Sequence, residues 1–354
     1  MNQNPNPEQP LVSVVLNSFN AEKVIGEQID SILRQTYKNL ELVVCDDHST
    51  DRTLEIVKEY ERKDPRVRWV QNETNLGAND RHRGICLTFH RGFELSKGEF
   101  IAISDADDFW VPDKIEKLAG YLIANPAIDL VFSNSMIASS DLSVKLGSLQ
   151  EKQGNWRRSG LVSIETLLQR NLVAGHVTFF RRKIVPRILP FPVGWTFDSW
   201  VGLVCALNSP VGYINECLVL YRQHGASLIG AEPRNLRYYV KRLNDPGFIM
   251  DYFKDKSGQL AAHRRLLANA NMSEFSKNAL ASKTANEEAL LAVIGATSMA
   301  QFGARLARAA WTIMRTKQKY HMKQWLFLAI SWRSIKSARL QYQKPELFQG
   351  KIGG

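Results

Sequence analysis

Cysteine is scarce in this 354-residue chain, and Cys45, Cys86, Cys205 and Cys217 stand far apart with no paired spacing. That excludes a disulfide framework, offers no structural zinc pattern and fits a reducing compartment. Long apolar runs are missing too. None reaches the ~20 residues that a membrane-spanning helix needs. Met1 to Pro10 carry neither a basic start nor an apolar stretch, so no secretory signal is expected there. Acidic residues run out toward the C-terminus, where Glu346 is the only one after Leu290. Residues 1–230 hold 25 Lys+Arg against 27 Asp+Glu, and residues 231–354 hold 21 against 8, so the net charge of +11 belongs to the last third. Such asymmetry points to a polyanionic partner, either anionic lipid or nucleic acid. A composition of 44% hydrophobic and 23% charged residues is otherwise that of a globular protein.

What is present is alternation. Leu11–Phe19, Leu40–Cys45, Val67–Val70, Glu99–Ser104 and Ile128–Ser133 read as strands. Between them, 22–35, 51–60, 78–95 and 112–124 read as helices, the first with a stripe of Val24, Ile25, Ile29, Ile32 and Leu33. Strands alternating with helices predict a mostly parallel, Rossmann-like α/β sheet with flanking helices. Residues 140–230 are mixed, and beyond Gly230 the pattern is helical.

In such a sheet ligands bind beyond the C-terminal strand ends. Three polar clusters fall there: Asn17-Ser18-Phe19-Asn20, Asp46-Asp47-His48-Ser49-Thr50-Asp51, and Asp105-Ala106-Asp107-Asp108. On an extended backbone Asp105 and Asp107 point to the same side. Two carboxylates so placed call for a cation, and Mg²⁺ or Mn²⁺ bridging to a diphosphate is the simplest reading. Asp108 would face the other way, as a structural group.

These residues, together with Ser13–Leu16, Asn75-Leu76-Gly77, Arg81 and Gly84, resemble glycosyltransferase family 2 in order and spacing through about residue 125, and more weakly to about 228. The resemblance implies a GT-A fold: a nucleotide-sugar-binding α/β subdomain over 1–135, an acceptor-binding part over 136–230, and, outside the resemblance, a basic helical C-terminal region over 231–354. It implies transfer of a sugar from a nucleoside-diphosphate donor with inversion, using Mg²⁺ or Mn²⁺. By position, Asp47 resembles the residue that binds the pyrimidine base, which favours a UDP- or dTDP-sugar. Asp46 is its companion, Asn17, Ser18 and Phe19 line the same pocket, and Arg81 is the basic residue near the nucleotide. Asp107 resembles the principal metal ligand, with Asp105 at the other end of the motif. His48 stands where the family more often has Gly, a change tolerated so long as that residue is not held at positive φ. His82 stands where Asn is frequent.

An inverting transfer needs a base for the acceptor hydroxyl. Acids are few between 135 and 230, and Asp198, among Trp195, Phe197 and Trp200, resembles the family's catalytic Asp. A plain helix-capping aspartate is the alternative. Tyr221-Arg222-Gln223-His224 resembles a Tyr-Arg-x-His segment, with His224 as a metal or diphosphate ligand and Arg222 on the donor phosphates. His176, after Gly175, lies near the acceptor in this reading. Residues 300–340 join Trp325 and Trp332 to a basic flank, which suits a helix lying on an anionic membrane surface or, equally, a helix packed on the enzyme. No nucleic-acid motif appears, so nucleic acid is not the expected partner. The expectation is therefore a cytoplasmic, metal-dependent glycosyltransferase, peripheral on the inner membrane face, acting on a lipid-linked saccharide in surface-polysaccharide assembly. A metal-dependent nucleotidyl or phosphoryl transferase, which lacks its Walker-type loop here, and a non-catalytic nucleotide-sugar-binding scaffold are the alternatives.

Overall fold

The computed structural model describes residues 9–153, 158–169, 171–223, 246–268 and 272–294. The expected alternation is present, with helix ends shifted by a turn or less. Strand β1 (Val12–Ser18) leads to helix α1 (Ile25–Leu33), β2 (Leu40–Asp46) to α2 (Thr53–Lys63), and β3 (Val67–Gln71) to α3 (Arg81–Leu95). Then come β4 (Phe100–Asp105), the two-residue β5 (Phe109–Trp110), α4 (Lys114–Ala124) and β6 (Leu130–Ala138). Short elements follow: β7 (Lys145–Ser148), α5 (Leu149–Lys152), β8 (Gly160–Val162), α6 (Ile164–Gln169), β9 (Thr178–Arg181) and α7 (Val185–Ile188). Helix α8 (Phe197–Asn208) and the long β10 (Val211–Arg222) close this part.

The sheet runs β3-β2-β1-β4-β9-β6-β10-β5, with β7 on β6 and β8 on β10. Strands β3, β2, β1 and β4 are parallel, and so are β6 and β10. Between those blocks β9 is inserted antiparallel to both neighbours, which the sequence pattern did not indicate. Burial explains the hydrophobic runs. Val12, Val14, Val15 and Leu16 of β1 have no solvent exposure, because helices cover both faces of a parallel strand. Each such side chain contributes about 1.5–3 kcal/mol on burial.

The chain divides into two compact units, Met1–Phe191 with Thr196–Gly230, and Pro192–Trp195 with Ala231–Gly354. The second contains α9 (Pro246–Leu267) and α10 (Glu274–Ile294), whose contact buries Leu260, Ala262, His263, Leu280, Asn286 and Glu287. No helix among the described residues is long and apolar enough to cross a membrane. Residues 300–340 lie outside the described residues.

Candidate active site

The register of three parallel strands assembles the site. Ser18 at the end of β1 is level with Asp46 of β2, and Asn17 is level with Asp105 of β4. The acidic turn after β2 and the acidic turn after β4 therefore flank the tip of β1 from opposite sides.

On the β2 side the two aspartates are used differently. Asp46 is fully buried, and its oxygens accept from Ser18 Oγ (3.0 Å), Ser49 Oγ (2.5 Å), Ser49 N (2.9 Å) and Gln71 Nε2 (3.0 Å). All four acceptor positions of the carboxylate are filled, so Asp46 locks the turn. Asp47 is also buried. It accepts from Asn72 Nδ2 (2.8 Å), Leu76 N (2.9 Å) and Gly77 N (3.1 Å), and so draws the 75–77 loop over the strand ends. Gly84 lets α3 close on that loop, since a β-carbon there would lie 2.3 Å from Gly77 N. His48 sits between them at φ 62°, the left-handed region, with its Nδ1 3.1 Å from Asn72 O. The condition under which a non-glycine is easily accepted here is thus not met. Asn20, at φ 47°, accepts from Thr50 N. The Phe19 ring is 44% exposed at the rim, and Arg81, in the first turn of α3, is exposed.

The β4 side departs from the extended geometry expected. The chain turns at Ala106–Asp107, so it is Asp108 and not Asp107 whose carboxylate meets that of Asp105. A ligand atom of Asp105, one of Asp108 and one of His176 lie within 4.8 Å of one another. Asp108 is fully buried and neither of its oxygens has a hydrogen-bond partner. His176, buried after Gly175, sets Nε2 3.0 Å from Ser135 Oγ and stacks on Tyr221 with ring centroids 4.6 Å apart. Burial, then the neighbouring charges of Asp107 and Asp198, push the Asp105 carboxyl up to about 7. Burial and the adjacent Asp105 and Asp107 charges push Asp108 well above the carboxylate range. Burial holds the His176 imidazole down at about 3, keeping it neutral.

Asp198 lies in the first turn of α8, where the helix dipole favours an acid. The residue before the helix is Thr196, so Asp198 is inside it and not the capping residue. Its Oδ1 accepts from Thr196 Oγ1 (2.5 Å) and Ser199 N (2.6 Å). The Phe197 ring, 4.3 Å from that of Phe89, fixes the direction of the helix start. Burial raises the Asp198 carboxyl, and the donors from Thr196, Ser199 and Asn171 oppose that rise. Its charge acts on Asp105, which puts both in one electrostatic neighbourhood.

Arg222 is buried and turned inward. Its Nε donates to Asp107 O (3.1 Å), one terminal nitrogen to Ser140 O, and the other to Glu27 (2.6 Å). It therefore braces the acidic turn from behind. His224 lies outside the described residues. Lys114 was not singled out by the sequence. It is fully buried at the start of α4, and an aspartate-rich strand end followed by a lysine nine residues on gave no sign of it.

Around the β4 turn four carboxyls, Asp105, Asp107, Asp108 and Asp198, face two cations, Lys114 and Arg222. That imbalance, with Asp108 unpartnered, fits one divalent cation held by oxygen ligands.

The family model described as Glycosyl transferase family 2 matches residues 13–189, half of the chain. This protein belongs to glycosyltransferase family 2. An uncharacterised glycosyltransferase of Haemophilus influenzae is 31% identical over 262 residues, 70% of this chain and 76% of that one. The Escherichia coli UDP-Glc:alpha-D-GlcNAc-diphosphoundecaprenol beta-1,3-glucosyltransferase WfgD is 37% identical over 131 residues, 37% of this chain and 48% of that one. The chain spans 38–48% of the length of several such relatives. Among solved structures, Staphylococcus aureus TarS 1–349 in complex with UDP-GlcNAc superposes with a TM-score of 0.61 at 15% identity, over 94% of this chain and 91% of that one. The fold is GT-A, and the chain's role is that of a glycosyltransferase.

Proposed function

We propose that this chain moves a sugar, with inversion, from a UDP- or dTDP-sugar to a saccharide acceptor, lipid-linked, in surface-polysaccharide assembly. The observation that carries the reading is the strand register: the turn bearing Asp47 and the turn bearing Asp105, Asp107 and Asp108 flank one strand tip. A nucleoside lies toward Asp47 and Phe19 in this reading, and its diphosphate toward the β4 turn. Three of the positions available on Asp47 are filled by the chain, which leaves one for a ring N–H. The β4 turn, with Asp107 and with the Asp105 and Asp108 carboxylates that meet there, would hold Mg²⁺ or Mn²⁺, which neutralises the leaving diphosphate. Asp198 is the base. Burial raises its proton affinity toward what deprotonating an acceptor hydroxyl at neutral pH requires, and Thr196 and Ser199 fix its Oδ1. Arg222 serves the site as a brace on Asp107. The three-part division at 135 and 230, with 136–230 serving the acceptor, is part of the same proposal. So is peripheral attachment to an anionic membrane through 300–340, in keeping with the basic last third. The lipid-linked acceptor is supported by WfgD, whose name gives a diphosphoundecaprenol acceptor.

The test is a panel of radiolabelled UDP-, dTDP- and GDP-sugars with Mn²⁺ and membrane extract. Transfer into the lipid fraction from a UDP- or dTDP-sugar is expected, and Asp107→Ala should abolish metal-dependent donor binding. Transfer from GDP-sugars alone would overturn the donor assignment. No transfer or hydrolysis with any donor would overturn the enzymatic reading.

A further inference from the structure

A carboxylate distinguishes one pyrimidine from another only if it is held still. The ring N3–H of uracil or thymine donates to it, whereas N3 of cytosine is itself an acceptor and repels it. A carboxylate free to turn can take the exocyclic amine of cytosine instead, and the distinction is lost. Around Asp47 the hydrogen bonds run in one direction, and one side chain governs them. Asn72, just after β3, is buried, and each of its polar atoms is engaged. Its main-chain N–H donates to Asp46 O (2.9 Å), and its main-chain oxygen lies 3.1 Å from His48 Nδ1. Its Nδ2 donates to Asp47 Oδ1 (2.8 Å) and to Thr88 Oγ1 (3.0 Å). Thr88 gives its own proton to Gly84 O (3.0 Å), so toward Asn72 it only accepts. Asn72 Oδ1 accepts from an Arg91 terminal nitrogen (3.2 Å) that also donates to Gln71 O (2.8 Å).

That set fixes which way the amide faces. Reversed, its oxygen would meet the Asp47 carboxylate and its NH₂ the guanidinium, acceptor against acceptor and donor against donor. Thr88 and Arg91 lie on α3, three residues apart and so on one face of it. Arg91 thus sets the sense of Asn72, and Asn72 sets Asp47. With Asn72 Nδ2 and Leu76 N both on Oδ1, that oxygen is filled. Among the described residues Oδ2 accepts from Gly77 N (3.1 Å), and it keeps one position open. Gly77 leaves that oxygen clear, since a β-carbon there would lie 3.3 Å from it.

We propose that Asn72, oriented by Arg91, is a positioning residue that sets base specificity, holding the Asp47 carboxylate so that Oδ2 takes a pyrimidine N3–H and rejects cytosine. This rests on the reading of Asp47 as the base-binding group. The selectivity is as much repulsive as attractive. To suit cytosine the carboxylate must swing, and the charge-assisted bond from Asn72 opposes the swing.

The experiment is a calorimetric titration of the full chain with UDP and with CDP at constant MgCl₂, on the wild type, Asn72→Leu, Arg91→Met and Arg91→Lys, with the melting temperature of each. Diphosphate and metal are common to both ligands, so the ratio of the two affinities reads the base alone. The wild type should prefer UDP by about tenfold or more. Asn72→Leu should bring the ratio to within about twofold of parity. Arg91→Met leaves Asp47 and Asn72 in place but frees the amide, and should lower the ratio severalfold. Arg91→Lys keeps a donor and should restore most of it. A lower melting temperature in Asn72→Leu and Arg91→Met at an unchanged ratio would make Asn72 a structural residue and overturn the inference. Should Asn72→Leu not fold, Arg91→Met decides, and an unchanged ratio there overturns it equally. A wild type that binds UDP and CDP alike would instead sink the assignment of Asp47 to the base, and one that binds neither would sink the nucleotide-sugar reading itself.

Discussion

Two acids in this protein are shifted in opposite directions. At the C-terminal end of β4, burial and neighbouring Asp107 and Asp198 push Asp105 up to about 7. In the C-terminal helical unit, burial alone would raise Glu287, yet the close His263 imidazole and the charges of Lys256 and Lys283 hold it down at about 2. Its Oε2 is 3.0 Å from His263 Nδ1, and its Oε1 lies 3.6 Å and 3.5 Å from the Lys256 and Lys283 amines. The helical unit has answered its charge with its own side chains. The strand ends have collected four carboxyls against two cations. Buried charge left over in this way marks a place built for a ligand, and buried charge matched from within marks a structural joint.

The comparison breaks most sharply under isosteric neutralisation. Glu287→Gln leaves two lysines beside a neutral amide and should destabilise the protein by roughly 3–5 kcal/mol in urea unfolding, while the folded enzyme keeps its turnover. Asp198→Asn should do the reverse. Donor binding and stability hold, and turnover falls ~10²-fold or more, the scale for a positioned base. Should Glu287→Gln cut turnover of the folded fraction, or Asp198→Asn leave it intact, the division into joint and site would be wrong.

Acid sharpens it further. The folded-state pKa of His176, about 3, lies below its ordinary 6.5, so its contribution is present above 6.5 and is lost as pH falls toward 3. Glu287 gives the same sign in a lower window, from 4.5 down to about 2. Asp105 runs the other way: its folded pKa is raised from 3.8, so its contribution declines as pH climbs from about 4 to about 7. The difference between wild type and His176→Gln, measured as unfolding free energy across pH 3–8, isolates the histidine. The wild type should lose its advantage over the variant below pH 6.5. A constant difference across that range would mean that His176 is not held neutral by burial.

The comparison also shows what a sequence carries. The parallel strands were legible because burial on both faces writes continuous hydrophobic runs such as Leu11–Leu16. The acidic strand ends were legible because parallel topology gives strand ends a meaning. The antiparallel place of β9 between β4 and β6 was not legible, since pairing partners leave no mark on four residues. The partnership of Asp105 with Asp108 depended on a turn at Ala106–Asp107 that the residue types do not demand. Lys114 looks like an ordinary surface cation in sequence, and Arg222 reads there as a contact of the donor phosphates. Only the packing shows one behind the acidic turn and the other bracing Asp107. Glu287 likewise stood in a helical stretch whose buried side the sequence did not single out.

Backbone strain follows the same division, and it gives the smallest effect. Among the described residues, the non-glycines at positive φ are Asn20, His48 and Leu142, all in the first unit, and two of them lie at the turns after β1 and β2. His48 is the informative one. A side chain in the left-handed region costs about 1 kcal/mol or slightly more, which glycine escapes. Glycine returns roughly 0.5–1 kcal/mol of that through its freer unfolded chain. Either replacement also loses the contact of Nδ1 with Asn72 O, worth about 1 kcal/mol. His48→Gly should therefore lie within about 1 kcal/mol of wild type. His48→Ala keeps the strain and loses the contact, and should be the less stable variant by a few tenths of a kcal/mol up to about 1 kcal/mol. Chemical denaturation of the two variants side by side decides it. If alanine proves the more stable, His48 is not held in the left-handed region, and the strain at these two turns rests on Asn20 alone.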